Sequence, residues 1–209
     1  MSVKQDCQLY IITPPTIPNI AQFMIEFAAI ASFKEVACVQ LRLIDKDDGF
    51  TSECISELKP LCKQTGTALI INDRPDLCLS LKCDGVHLGE NDMPYKDARK
   101  LLGEEFIIGV TCGASNHKAM NLAESGADYV AFGSVYPSGT KKTAVNAPLD
   151  LIANWSNTTN VPSIAIGGIT VYNCRAVIET GADFLAVCGG VWDHPNGPKD
   201  AVEAFAKQF

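Results

Sequence analysis

The 209-residue sequence has no surplus of positive charge: 17 lysines and arginines stand against 24 aspartates and glutamates, a net charge of -7. Nothing draws the whole chain toward nucleic acid or an anionic membrane surface, so any anion site must be built locally. No apolar run reaches the roughly 18 to 20 residues that a spanning helix needs. The opening MSVKQDCQLYIITPP has too short an apolar core for a secretory signal and meets prolines. There are nine cysteines but no C-x-x-C pair, and most lie inside apolar stretches. They read as small buried hydrophobes in a reducing cytoplasm, not as a disulfide framework or a zinc site. No Pro- or Ser-rich linker divides the chain, which argues for a single domain over 1–209. No Ser/His/Asp arrangement points to a nucleophile.

What is present is alternation. Short apolar runs occupy 8–13, 36–42, 68–73, 84–89, 106–111, 128–133, 162–168 and 183–190. They are continuously apolar, as strands buried on both faces of a parallel sheet are. Between them lie helical patterns at 20–31, 50–62, 94–102, 115–125, 147–155, 170–180 and 198–207, with a short one at 75–81. Gly66, Gly126 and Gly181 each stand where a helix gives way to a strand, as capping glycines do. GADYVA at 126–131 and GADFLA at 181–186 are nearly the same text in the same context, a sign of repeated βα units. Eight such units in this length predict a (β/α)8 TIM barrel, with an open doubly wound sheet as the alternative.

In a barrel of this kind the working face lies at the C-terminal ends of the strands. The residues just after the apolar runs are Gln40 and Arg42; Asn72, Asp73 and Arg74; His87, Gly89, Glu90 and Asp92; Thr111; Ser134 and the stretch through Ser138, Thr140 and Lys141; Gly167 and Gly168; and Cys188, Gly189 and Gly190. Asp73 and Asp92, with Asn72, are the donors that Mg²⁺ accepts when phosphate oxygens and water complete its shell. Arg42 and Lys141 are cations suited to the same phosphates. The glycines after the last two runs suit a backbone N–H cup for a second phosphate. Each residue alone has a plainer reading. Asp73 can cap the next helix, His87 can be a satisfied interior histidine, Gly167-Gly168 a tight turn, and Lys141-Lys142 a solvated turn.

VQLR, INDRPDL, CDGVHLGENDMP, GADYVAFGSVYPSGTK, VPSIAIGGIT and GADFLAV, in this order, resemble the thiamine phosphate synthase family from about Gln8 to Phe209. That resemblance implies a TIM barrel using Mg²⁺. It would join hydroxymethylpyrimidine diphosphate to thiazole phosphate, giving thiamine phosphate and pyrophosphate. It implies Asp73 and Asp92 as metal ligands, Arg42, Asn72 and Lys141 as diphosphate contacts, and Gln40 as the aminopyrimidine contact. Ser138 and Thr140 correspond to the two threonines of the family's T-x-T-K, which hold the thiazole phosphate. Gly168 and the amides around Cys188 and Gly189 complete that cup, and His87 joins the substrate-binding set. Thr111 stands where the family has a serine near the reacting centre, and the loop after it is one residue longer than usual.

Two departures stand out. Cys188 replaces a usual serine, so an amide grip survives there but a hydroxyl contact does not. Ile44 replaces the lysine of the family's Q-x-R-x-K, and the next lysine is Lys46. The competing readings are a thiazole tautomerase-like paralogue, a thiamine phosphate-binding barrel without turnover, and another phosphate-binding barrel such as a sugar phosphate epimerase. Asp73, Asp92 and Lys141 favour the synthase. The expected partners are small-molecule substrates, with neither nucleic acid nor membrane. The expected location is the cytoplasm, and a homo-oligomer is permitted.

Overall fold

The computed structural model describes residues 7–44, 46–137 and 146–209. Eight strands, β1 (Gln8–Ile12), β2 (Val36–Leu41), β3 (Ala68–Asn72), β4 (Gly85–Leu88), β5 (Ile107–Gly113), β6 (Tyr129–Gly133), β7 (Ser163–Ile166) and β8 (Phe184–Val187), pair in parallel and in chain order. β1 pairs with β8, so the barrel closes. Around it lie α1 (Ile20–Ala31), α2 (Asp48–Thr65), α3 (Pro75–Leu81), α4 (Tyr95–Leu102), α5 (Asn116–Glu124), α6 (Leu149–Thr158), α7 (Cys174–Ile178), α8 (Gly189–Trp192) and α9 (Pro198–Ala206). The barrel expected from the sequence is therefore the fold, and the doubly wound sheet is not.

The strands read as continuously apolar because each pleat buries both of its faces. Leu9, Ile11, Val39, Leu41, Leu69 and Ile71 point outward into the layer beneath the helices. Tyr10, Ile12, Cys38, Ile70, Tyr129 and Ile164 point inward and fill the barrel. The helices supply the matching stripe: Phe23, Phe27 and Ile30 from α1, Cys54, Ile55 and Leu58 from α2, and Val202 and Phe205 from α9. All nine cysteines are free; eight are buried and Cys188 is half-buried. Asn19, Asp47 and Ser115 cap α1, α2 and α5 with side-chain oxygens.

Two helix ends differ from the sequence reading. Gly66 caps α2 at φ 76°, as expected, but Gly126 and Gly181 fall one and two residues beyond the caps at Ser125 and Glu179. α7 begins at Cys174, not near 170, because the Asn173 side chain ties the preceding turn. Its Oδ1 accepts from the Thr170 amide at 2.7 Å, and its Nδ2 donates to the Gly168 carbonyl at 2.9 Å.

The repeated text has a structural cause. Asp128 donates its amide to the Ile108 carbonyl at 3.0 Å, and its carboxylate accepts the Ile108 amide at 2.7 Å. Asp183 does the same to Ser163, at 3.1 and 2.8 Å, and also accepts the Ser163 hydroxyl. A third copy, outside the repeated text, is Asp84 on Leu69, at 3.1 and 2.7 Å. Each aspartate clamps the start of the preceding strand and takes up an amide that the ladder leaves open.

Asp183→Ala strands the Ser163 amide. It should lower the unfolding free energy by about 2 kcal/mol in urea titration. Asp183→Asn keeps an acceptor oxygen and should lose less; equal losses would show that the clamp works by charge alone.

Candidate active site

The C-terminal ends of β2, β3 and β4 carry a continuous polar relay. Gln40 is buried, and its Nε2 donates to Asn72 Oδ1 at 3.0 Å. Asn72 Nδ2 donates in turn to Asp73 Oδ2 at 2.5 Å. The order of donors leaves Gln40 Oε1 as an acceptor and Asn72 with one further N–H. The anticipated diphosphate contact through Asn72 is thus limited to that hydrogen, since the rest of its amide joins Gln40 to Asp73.

Asp73 has left-handed backbone, φ 61°, a conformation that costs a non-glycine residue about 1 to 3 kcal/mol and tends to occur at working sites. Its amide donates to the His87 carbonyl at 2.9 Å. The plain reading of Asp73 as a helix cap fails, because the residue before α3 is Arg74 and it makes no side-chain cap. Arg74 is instead neutralised by the carboxylates of Asp48 and Asp76, at 2.5 and 2.6 Å.

Asp92 turns back under the β4 loop, where its Oδ2 accepts the Gly89 amide at 2.5 Å. A Cβ at Gly89 would lie 2.7 Å from Asp92 Oδ2 and 4.0 Å from Asp73 Oδ1, so the glycine leaves the space that both carboxylates enter. The two are close enough that protonated Asp73 hydrogen-bonds Asp92. Burial first, then that bond and the charge of Asp92, push the Asp73 carboxyl up to about 7. Arg42 opposes the rise, which places its guanidinium within electrostatic reach. Among the described residues no group of three His, Cys, Asp or Glu side chains is arranged around a metal. A pair of crowded carboxylates is nevertheless the donor set that Mg²⁺ uses when phosphate oxygens and water supply the remainder.

The ends of β6, β7 and β8 form the other side of the mouth. Gly167 and Gly168 have φ 104° and 65°. A Cβ on Gly168 would meet the Pro137 carbonyl oxygen at 2.5 Å, and one on Gly190 would meet the Ile169 carbonyl oxygen at 2.4 Å. Glycine is what lets these three loops touch backbone to backbone, as the turn reading of Gly168 expects. The Val135 and Tyr136 amides donate to the Ile166 and Gly167 carbonyls, and the Ala147 amide to the Ser134 carbonyl. These bonds anchor both flanks of the 138–145 stretch beside Gly167-Gly168. Ser138, Thr140 and Lys141 themselves lie outside the described residues.

Cys188 precedes α8, a single helical turn whose GGVW carries no periodicity that sequence reading could find. The Cys188 thiol donates to the Thr13 carbonyl at 3.4 Å, and burial pushes it up to about 11, so it stays protonated and directed at β1. The Gly189 and Gly190 amides are the groups left for a ligand at this turn, while the Asp193 carboxylate stands against Gly189.

The long loop after β5 is absorbed within the strand. Thr111 pairs with Ala131 and Gly113 with Phe132, so Cys112 is an inserted residue in a bulge, with its side chain buried. Thr111 therefore keeps its place at the mouth, where its hydroxyl lies 2.8 Å from His87 Nε2. Lys46 lies over the Phe50 ring, 5.1 Å from its centroid, and Ile44 is 41% exposed. In this arrangement Lys46 is turned to Phe50.

Two groups escaped the sequence reading. Thr13 accepts the Arg42 amide at 3.0 Å on its hydroxyl and donates its own amide to the Gln40 carbonyl, stitching β1 to the Arg42 loop. Tyr129 bonds His87 Nδ1 at 3.1 Å from the barrel interior. Only a tyrosine inside an apolar run opposite Gly109 marked that second position.

The sequence profile of thiamine monophosphate synthases matches residues 9–191. The chain is similar to the thiamine-phosphate synthase of Rhodospirillum centenum, 49% identical over 200 residues and 96% of both chains. It is 45% identical to that of Hyphomonas neptunium, over 97% of this chain and 93% of the relative. Among solved structures, thiamine phosphate pyrophosphorylase from Pyrococcus furiosus superposes with a TM-score of 0.83 at 27% identity, covering 99% of this chain and 97% of that one.

The raised Asp73 carboxyl has a stability consequence. The folded state holds the proton between the ordinary value, 3.8, and about 7, whereas the unfolded chain has released it. Metal-free stability from this group is therefore full below about 4 and is lost as pH rises through about 7. Asp73→Asn should melt higher than wild type at pH 8 without metal and equally near pH 4. Equal melting at both pH values would mean that burial and Asp92 together do not raise the Asp73 carboxyl.

Proposed function

This chain belongs to the thiamine monophosphate synthase family, and we propose how its barrel mouth performs that family's reaction. The protein is a transferase, a thiamine-phosphate synthase. It joins 4-amino-2-methyl-5-hydroxymethylpyrimidine diphosphate to the nitrogen of 4-methyl-5-(2-phosphoethyl)thiazole and releases pyrophosphate. The observation that carries the residue assignment is the convergence of Asp73 and Asp92 on the gap left by Gly89, beside the Gln40–Asn72 relay.

In this reading Gln40 Oε1 accepts from the pyrimidine amino group, its orientation fixed because Nε2 is committed to Asn72. Asp73 and Asp92 would hold Mg²⁺. When bound, the ion neutralises diphosphate oxygens as charge builds on the leaving group. Arg42 faces the same oxygens from β2, and the remaining Asn72 N–H adds a hydrogen bond. As the C–O bond breaks, the electron-rich aminopyrimidine delocalises the positive charge, and the thiazole nitrogen lone pair attacks the exocyclic carbon. No general base is required, because that lone pair carries no proton.

The thiazole phosphate is assigned to the amides of Gly168, Gly189 and the turn after Cys188. The family motif adds the hydroxyls of Ser138 and Thr140 there, and Lys141 toward the diphosphate. Thr111 and His87 stand between the two halves, so a hydroxyl is presented at the reacting centre. The barrel's main contributions are positioning and a water-poor electrostatic site. Among the described residues no helix is long and apolar enough to cross a membrane, which is compatible with the cytoplasmic site of action proposed here.

Pyrophosphate release should require both substrates and Mg²⁺, and should fall at least about 100-fold in Asp73→Ala. Absence of release, with thiazole phosphate still bound, would make the protein a binding barrel. Ile44→Lys should raise kcat/KM for the diphosphate substrate about tenfold, since it restores one cation to the leaving group. An unchanged value would show that the remaining cations already suffice.

A further inference from the structure

A hydrogen-bonded chain runs through the barrel interior to Thr111. Tyr10 Oη lies 2.9 Å from Tyr129 Oη, Tyr129 Oη 3.1 Å from His87 Nδ1, and His87 Nε2 2.8 Å from Thr111 Oγ1. Tyr10, Tyr129 and His87 are 3%, 6% and 7% exposed, so all three sit away from bulk solvent. The rings are held as tightly as the polar atoms. Tyr129 lies nearly parallel to His87 with centroids 5.7 Å apart and meets Tyr10 edge-on at 5.9 Å. The space for the Tyr129 ring comes from Gly109, its partner across the ladder, where a Cβ would fall 1.8 Å from the ring.

The chain has only one polarity that satisfies the buried phenol hydrogens. Burial raises both phenols well above their ordinary value, so both keep their protons. Among the described residues the Tyr10 hydroxyl has Tyr129 as its hydrogen-bond partner, so Tyr10 must donate to Tyr129. Tyr129 then donates to His87 Nδ1, which must be bare. The imidazole proton sits on Nε2 and is donated to Thr111 Oγ1. The Thr111 hydrogen is left over, at the mouth. The opposite polarity would bury the Tyr10 hydrogen without an acceptor, which costs about 1 to 3 kcal/mol.

We propose that Tyr129, backed by Tyr10, is a positioning residue: it fixes His87 as the Nε2–H tautomer and thereby aims the Thr111 hydroxyl hydrogen outward at the bound substrates. The assignment rests on the reading of Thr111 as part of the reacting centre. What Thr111 offers is a hydrogen-bond donor to developing negative charge, such as the bridging oxygen of a departing diphosphate. No proton need leave the chain. An acceptor-only threonine would repel the same oxygen.

The test is ¹⁵N NMR of the histidine rings in the intact enzyme near pH 7.5, with His117→Gln and His194→Gln variants assigning the other two of the three histidines. The expected wild-type spectrum shows His87 neutral with its proton on Nε2 alone. Tyr129→Phe keeps the ring and removes the donor. It should introduce the Nδ1–H form and lower kcat about tenfold, with KM for either substrate within about twofold. Gly109→Ala, which drives the ring away, should give the same spectral change. A wild-type Nδ1–H tautomer or an imidazolium would overturn the proposal, and so would an unchanged kcat in a folded Tyr129→Phe enzyme. The wild-type spectrum decides the matter even if the variants fold poorly. It also needs no turnover, so the tautomer can fail while the synthase reading stands.

Discussion

Everything at the mouth depends on the two-residue pleat of a closed parallel barrel. Successive strand residues face either the helices or the interior, and all eight strands end on the same side. A polar side chain on an inward position therefore has two choices. Near the C-terminal end it meets ligand. Deeper, it must find a partner among other inward residues or pay the cost of an unsatisfied group. Gln40, Asn72 and Thr111 stand at the strand ends, and Tyr10, Tyr129 and His87 bond one another deeper in. Among the described residues no buried side-chain nitrogen or oxygen lacks a partner.

The two halves of the mouth solve different electrostatic problems. On the β3–β4 side the protein crowds two carboxylates and holds one of them in left-handed backbone. Burial and that crowding make it costly for both carboxylates to be ionised at once. On the β6–β8 side the described residues show no such carboxylate pair. Glycine contacts bring three loops into register, and the amides of a single helical turn are exposed at the end of β8. The net charge of -7 makes this division sensible, since a free anion is drawn in only where cations or amides have been gathered locally.

Most of the barrel was legible because it is written in hydrophobic period. Continuous apolar runs marked all eight strands, and helical stripes marked all the longer helices. The failures have physical causes. GGVW is too short and too glycine-rich to show a period, so α8 was invisible. Asn173 holds a turn that apolar pattern alone extends into helix, which moved the start of α7. In the site, strand-end position correctly picked out Gln40, Asp73, Asp92 and Thr111 as neighbours of the mouth. It could not show that Asn72 is already bonded on both sides, nor that Lys46 lies over Phe50. Tyr129 was read as one more apolar residue, because a phenol buried beside a glycine leaves no mark on hydropathy.

The aspartate clamps also bear on how the barrel assembles. Each ties the start of a strand to a residue only 15 to 20 positions away. Such short loops close at little entropic cost, so neighbouring βα units can recognise each other before the ring exists. The exception is the seam, where the Gln8 amide donates to the Asp183 carbonyl across nearly the full chain. Asp183 thus serves both a local joint and the seam. One aspartate therefore sets the alignment of β8 on both of its edges, so β7 and β1 are registered through the same residue.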